Sequence, residues 1–161
     1  MKNILAWLLP APAGNNLAGP KLPFYVFAVI AVISTERSFI HLLSADGGAG
    51  SIAGMDLSAG GAGIIFSFAL WGSSQLVLAL LQLVVLFRYR SLVPLMYVLL
   101  IAESLLRVLV GHIKPVTFSH TPPGAYQNYL YPLLALVMLV ISFNGYSQDA
   151  RKPEQNDVCQ N

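Results

Sequence analysis

Between Leu76 and Phe87 the only polar residue is Gln82. A helix on the surface of a soluble protein keeps one polar face for water, and this stretch has none. Three other runs share that character. Leu22–Ser44, Ala62–Phe87, Leu92–Ile113 and Ala125–Gly145 each reach the ~20 residues that a helix needs to cross an apolar layer roughly 30 Å thick. A β-barrel would alternate apolar and polar positions over about ten residues at a time, which none of the four does. With 56% hydrophobic and 10% charged residues in 161, the composition lies far from that of an average soluble domain.

The expected fold is therefore all-α, a polytopic membrane protein built as a four-transmembrane-helix bundle over residues 22–145. An N-terminal interfacial segment, 1–21, precedes it and a polar tail, 146–161, follows. No length is left for a second domain, and the two halves of the chain show no repeat of the kind that builds inverted-repeat transporters.

Charge placement sets the expected orientation. Lys2 and Lys21 precede the first span, Arg88 and Arg90 separate the second from the third, and Arg151 and Lys152 follow the fourth. The other two connections hold one cation, Lys114. Under the positive-inside rule both termini are cytoplasmic and the loops Ala45–Gly61 and Lys114–Gly124 face outward. A signal peptide ending at Ala11-Pro12-Ala13 is the competing reading, but Ile4–Leu9 is short for its apolar region and Pro10 and Pro12 follow it. An interfacial segment carrying Trp7 fits better. The lone Cys159 near the C-terminus has no partner in the chain for a disulfide and belongs to no Cys-x-x-Cys motif. No basic cluster is dense enough for nucleic acid.

The residues that bear on function are the charges inside the apolar runs. An unpaired ionised side chain in hydrocarbon costs several kcal/mol, so such residues face protein or a wet cavity and have a partner. Along the first span Ser34, Arg37, His41 and Ser44 fall on one stripe, with Glu36 about 100° round from Arg37. In the second span Ser67, Trp71, Ser74, Gln75, Leu78 and Gln82 share a face suited to interhelical hydrogen bonds, and Gly72 permits close approach. The third carries Glu103, Ser104, Arg107 and Gly111, and Glu103 precedes Arg107 by four residues, the favourable order for a local ion pair.

At ~1.5 Å of rise per residue, Glu36 and Arg37 lie ~21–23 Å from the cytoplasmic end of their span, Glu103 ~17 Å and Arg107 ~23 Å from theirs. All four occupy one layer, slightly outward of the membrane centre. Helical side chains tilt toward the N-terminus, which directs Arg37 toward Glu103. Two acids and two arginines sum to zero, as a dry site requires. One reading of this layer is a polar lock that fixes which helix faces point inward. The other is a ligand site in which an arginine binds a carboxylate or an anionic head group bidentately, a task that suits a permanently charged guanidinium better than proton relay does.

Other chemistry finds less support. His41, His112 and His120 invite a metal or haem site at the outer end, but His112 points off the polar stripe, so no metal ligand is assigned. No Ser-His-acid or His-Glu-x-x-His pattern is present. The loop Asp46–Gly63 is rich in glycine without the strand and Gly-Lys-Ser/Thr ending of a phosphate loop. It reads as a mobile outer loop with tight turns, or as a lid over the bundle mouth with Asp46 and Asp56 as its charges. The outer end of the fourth span, Tyr126, Gln127, Asn128, Tyr129 and Tyr131, reads as an aromatic belt.

Trp71-Gly72-Ser73-Ser74-Gln75, the apolar run to Phe87-Arg88-Tyr89-Arg90, and Glu103-Ser104-Leu105-Leu106-Arg107 with Gly111 and Lys114-Pro115 together resemble the DoxX-like group of small bacterial four-helix membrane proteins. The resemblance implies a bacterial inner-membrane location and, since some members look like accessory subunits of quinone-reducing membrane enzymes, a partner protein or a quinone. It assigns no catalytic residue. The expected role is a non-enzymatic accessory or small-ligand or lipid-binding subunit with a buried Glu/Arg layer, its partners being membrane lipids and a membrane protein or a second copy of the chain. The first alternative is an oxidoreductase or quinone-reactive subunit using an outer-leaflet cavity around Arg37, His41, Gln75, Glu103 and Arg107. An oligomeric transporter or channel is the third.

Overall fold

The computed structural model describes residues 4–17 and 19–149. It contains five α-helices: α1 (Ile4–Leu8), α2 (Lys21–Leu43), α3 (Gly61–Arg88), α4 (Val93–Ile113) and α5 (Pro123–Asp149), with one 3-10 turn, Arg90–Leu92, between α3 and α4. No strand occurs among the described residues. Helices α2 to α5 are long and apolar enough to cross a membrane, and together they make a four-helix bundle of an integral membrane protein. Cys159 and the rest of the expected tail from 150 onward lie outside the described residues, whereas 146–149 continue α5.

Proline and backbone caps place the helix ends. Pro23 sits in the first turn of α2 and Pro94 in that of α4, where no intrahelical donor is lost. Pro123 opens α5. Pro132 lies within α5 and leaves the Asn128 carbonyl without its usual donor. Ser44 closes α2 through its N–H to Ile40 O, and Tyr89 closes α3 through its N–H to Val85 O.

Packing is organised as two antiparallel hairpins. Helix α2 lies along α3 and α4 along α5, while α2 makes the thinner contacts that join the pairs. Gly72 is the close point of the first hairpin: a Cβ there would stand 2.8 Å from His41 Cβ and from Leu42 N. Only the missing side chain lets α2 and α3 approach so closely.

The core occupies the half of the bundle that holds the start of α2 and the end of α5. Phe27, Ile30, Val85, Leu86, Val93, Met96, Tyr97, Leu100, Ala135 and Met138 form one buried cluster drawn from all four long helices. Tyr97 is fully enclosed, and its hydroxyl donates to Pro23 O at 2.6 Å. That bond ends the chain of apolar contacts with a satisfied polar tip. The N-terminal segment closes the same end. Ser91 and Gly14 exchange two hydrogen bonds of 3.0 and 3.1 Å, Trp7 packs edge-on against Phe143, and the Arg90 guanidinium lies 4.9 Å from the Phe24 ring centre.

Candidate functional site

The opposite half of the bundle, where the loops 44–60 and 114–122 connect the helices, is hollow. A cavity of about 630 Å³ lies between the hairpins there, inside the range of small-molecule sites, roughly 300–1,000 Å³. Its lining includes Glu36, Arg37 and His41 of α2, Trp71 of α3, Arg107 of α4 and Gln127 of α5. Beneath it is a second, polar chamber of about 30 Å³, lined among others by Ser34, Ser38, Gln75, Gln82, Glu103 and Tyr131. Arg37 and Arg107 border both spaces.

The indole of Trp71 organises the two cations. Arg37 Cζ lies 4.9 Å and Arg107 Cζ 5.8 Å from its ring centre, and the His41 ring is tilted against it at 4.7 Å. An aromatic face attracts a guanidinium and offers it a surface to lie on without neutralising it. Arg107 is neutralised instead by Glu103, one turn earlier on its own helix. This is the only ion pair among the described residues.

Arg37 takes different partners from those expected. Its Nη1 donates to Gln127 Oε1 at 2.9 Å and its Nε to His41 Nε2 at 3.3 Å. The expected Arg37–Glu103 contact is not made, because the local i,i+4 geometry on α4 gives Glu103 to Arg107, while Arg37 reaches toward the loops to the amide at the start of α5. As His41 Nε2 accepts from Arg37, its Nδ1 carries the proton and donates to Gly47 O at 2.8 Å. That assignment follows from the hydrogen-bond network. His41 thus fixes both the arginine and the first turn of the loop 44–60.

Three other expectations are corrected. Glu36 stands exposed on the wall of the large cavity and forms no ion pair among the described residues. The four charges therefore do not form two ion pairs: Arg107 is paired with Glu103, whereas Arg37 and Glu36 line the same cavity without an ion pair. Gln75 belongs to the small chamber and not to the large cavity. Ser67 and Ser74 donate to carbonyls of α3 itself, at Gly63 and Leu70, and so do not join helices. In the small chamber Gln82 Oε1 and Arg107 Nε are buried without a hydrogen-bond partner, one an acceptor and the other a donor. Such a space, polar and of this size, is of the kind that holds ordered water.

The glycine-rich loop is folded around Asp46. Its Oδ1 accepts from Gly48 N at 2.8 Å and from the Ser51 hydroxyl at 3.1 Å, and its Oδ2 from Gly50 N at 3.1 Å and Ser51 N at 2.6 Å. These donors stabilise the ionised form and pull the carboxyl below the usual aspartate range, to about 2. Asp56 does the same on a smaller scale: its carboxylate accepts from Ser58 N at 2.9 Å, and that bond lowers its pKa. Both acids are turn-builders. Ala49 and Ala53 are buried beneath the loop, and Gly48, Ile52 and Ala53 face the large cavity.

The two loops are tied to each other. Ser119 N donates to Gly54 O at 3.1 Å and His120 Nε2 lies 3.2 Å from Ile52 O. Gly54 has a positive φ of 66°, and a Cβ there would stand 2.5 Å from His120 Cε1 and from Ser119 Oγ, so the clasp needs glycine. His41 and His120 are thus engaged in structural bonds. Among the described residues no group of three or more His, Cys, Asp or Glu side chains stands close enough to hold a metal ion.

The sequence did not single out Trp71 as the surface under both guanidiniums or Gln127 as a partner of Arg37. A Trp on a polar helical face was the one available signal for the first. Comparison with protein-family models, with curated proteins and with solved structures gave no match.

Proposed function

We propose that this protein is a non-enzymatic ligand-binding subunit that holds an anionic head group at Arg37, in a cavity of the outer membrane leaflet. The orientation rests on the cation asymmetry, which puts both termini in the cytoplasm, and an inner-membrane location in a bacterium on the DoxX-like resemblance.

One observation carries the reading. Arg37 borders a cavity large enough for a small molecule, and its hydrogen-bond partners, His41 and Gln127, are neutral. A lock would give each cation a carboxylate, as Arg107 has. A guanidinium with neutral partners keeps its charge for a ligand, and carboxylates and phosphates match its fork bidentately. Trp71 holds the planar group in place without cancelling that charge.

The test is thermal stabilisation of the purified protein by a panel of acids, neutral analogues and inorganic anions. An acid at about 100 times its dissociation constant raises stability by about 2.7 kcal/mol, visible as a shift in Tm. The gain should be lost in Arg37→Gln, reduced in Arg37→Lys and retained in a control such as Ser58→Ala. Equal stabilisation of wild type and Arg37→Gln by every anion contradicts the proposal.

A further inference from the structure

We infer that the ligand of this site is a membrane-dissolved monoanion with an acyl chain, a long-chain carboxylate, which reaches Arg37 from the bilayer through the slot between α2 and α4. This rests on the anion site proposed above and adds the ligand class and the route.

The route follows from what closes the cavity and what does not. Toward the loop end it is roofed. Gly48, Ile52 and Ala53 from one loop and Phe118 and Pro122 from the other line it, and the two loops are hydrogen-bonded to each other at Gly54–Ser119 and Ile52–His120. Toward the packed half it ends at the guanidiniums. The remaining wall lies on the seam between the hairpins, where α2–α4 and α3–α4 contacts are both sparse. On its α2 and α4 parts stand Ile33, Ile40, Val108 and Gly111, of which all but the half-buried Val108 are exposed. Gly111 leaves the slot open: a Cβ there would meet no atom within 4 Å. Walls of this kind favour an alkyl chain over a hydrated anion.

Charge fixes the head group. Glu103 pairs with Arg107, which leaves Arg37 as the one cation on the wall without an ion pair, and the exposed Glu36 stands on the same wall. One negative charge pairs with the Arg37 fork. A second, as on a phosphate monoester, would face Glu36 with no free cation to meet it. A carboxylate also fits the flat fork of Arg37 in place of the single Gln127 oxygen.

The experiment uses Trp71 as the reporter. In Trp7→Phe protein, reconstituted in zwitterionic-lipid nanodiscs, Trp71 fluorescence is followed as 9,10-dibromostearate is added, since bromine quenches an indole at contact. Should Trp7→Phe fail to fold, 5-fluorotryptophan labelling of the wild-type chain resolves the two indoles by fluorine NMR. The inference predicts saturable quenching, weakened about tenfold or more by Arg37→Gln through loss of a charged hydrogen bond and abolished by Gly111→Leu, whose side chain fills the slot. Quenching that rises without saturation and equally in all three proteins, with no Arg37-dependent stabilisation by benzoate or phosphate, overturns both the inference and the anion site. Absence of saturable quenching, together with Arg37-dependent stabilisation by water-soluble benzoate or phosphate, overturns the inference and leaves the anion site standing.

Discussion

The two halves of this bundle solve the membrane problem in opposite ways. The half around Tyr97 is closed: aromatic and branched side chains from four helices fill it, its one phenol is satisfied by Pro23 O, and the N-terminal segment covers its end. The half around Trp71 is open, with two cavities, four charged side chains and a pair of loops tied over them. The helices are the same four throughout. What changes along them is side-chain volume, from Phe27, Met96 and Tyr97 to Ser34, Ser38 and Gly111. Short side chains leave volume between the hairpins unfilled at one end, and large ones fill it at the other. Close packing gives stability, and the hollow is where we propose the site.

The contrast is broken most severely at Tyr97. Tyr97→Ala removes a fully enclosed ring and should cost about 3–5 kcal/mol, measured as a fall in Tm or in the denaturant midpoint in a fixed detergent. Gly72→Ala should cost about 1–3 kcal/mol by overpacking the α2–α3 contact, because the atoms a Cβ would meet include backbone. Arg107→Gln leaves Glu103 without its partner on the rim of the small chamber. As both side chains are partly exposed, the expected loss is about 1–2 kcal/mol. Gly111→Leu, an enlargement at a glycine with no atom within 4 Å of its would-be Cβ, should leave stability unchanged or raise it by up to about 0.5–1 kcal/mol, since leucine is the better helix former. A large loss at Gly111 would contradict the open slot.

The smallest effect lies in the roof. Asp46 has a folded pKa below its ordinary value of 3.8, at about 2. A carboxyl depressed on folding contributes fully above its unfolded pKa and loses that contribution as pH falls through the folded one. Exchange protection of the Gly48, Gly50 and Ser51 amides should therefore be constant above about pH 5 and fall between about pH 4 and 2. Asp46→Asn should remove that transition while leaving the core amides of α4 unaffected. Protection that stays unchanged down to pH 2 in the wild type would show that the loop does not depend on this carboxylate.

How far the sequence could be read follows the same division. The four spans were legible because hydrocarbon accepts only long apolar helices, and Leu76–Phe87 leaves no alternative. That Arg37, Glu103 and Arg107 share one level of the bundle was legible as well, because helical rise is constant. Partner choice was not. Arginine's long side chain reaches several neighbours from one Cα, and the amide it takes, Gln127, is ninety residues away in a stretch that reads as an aromatic belt. The expected link to Glu103 assumed an inward tilt that the polar groups at the start of α5 outweigh. Asp46 was read as a charge on a lid, although Asp followed by glycines is itself a turn signal.

The most direct measurement is native mass spectrometry of the protein released from membrane nanodiscs, wild type beside Arg37→Gln. The account predicts a small acidic adduct on the wild type, of one stoichiometry, that is absent or greatly reduced in the variant. Identical spectra, whether both bare or both carrying the same adducts, would contradict it and make Arg37 part of a structural lock between the two hairpins.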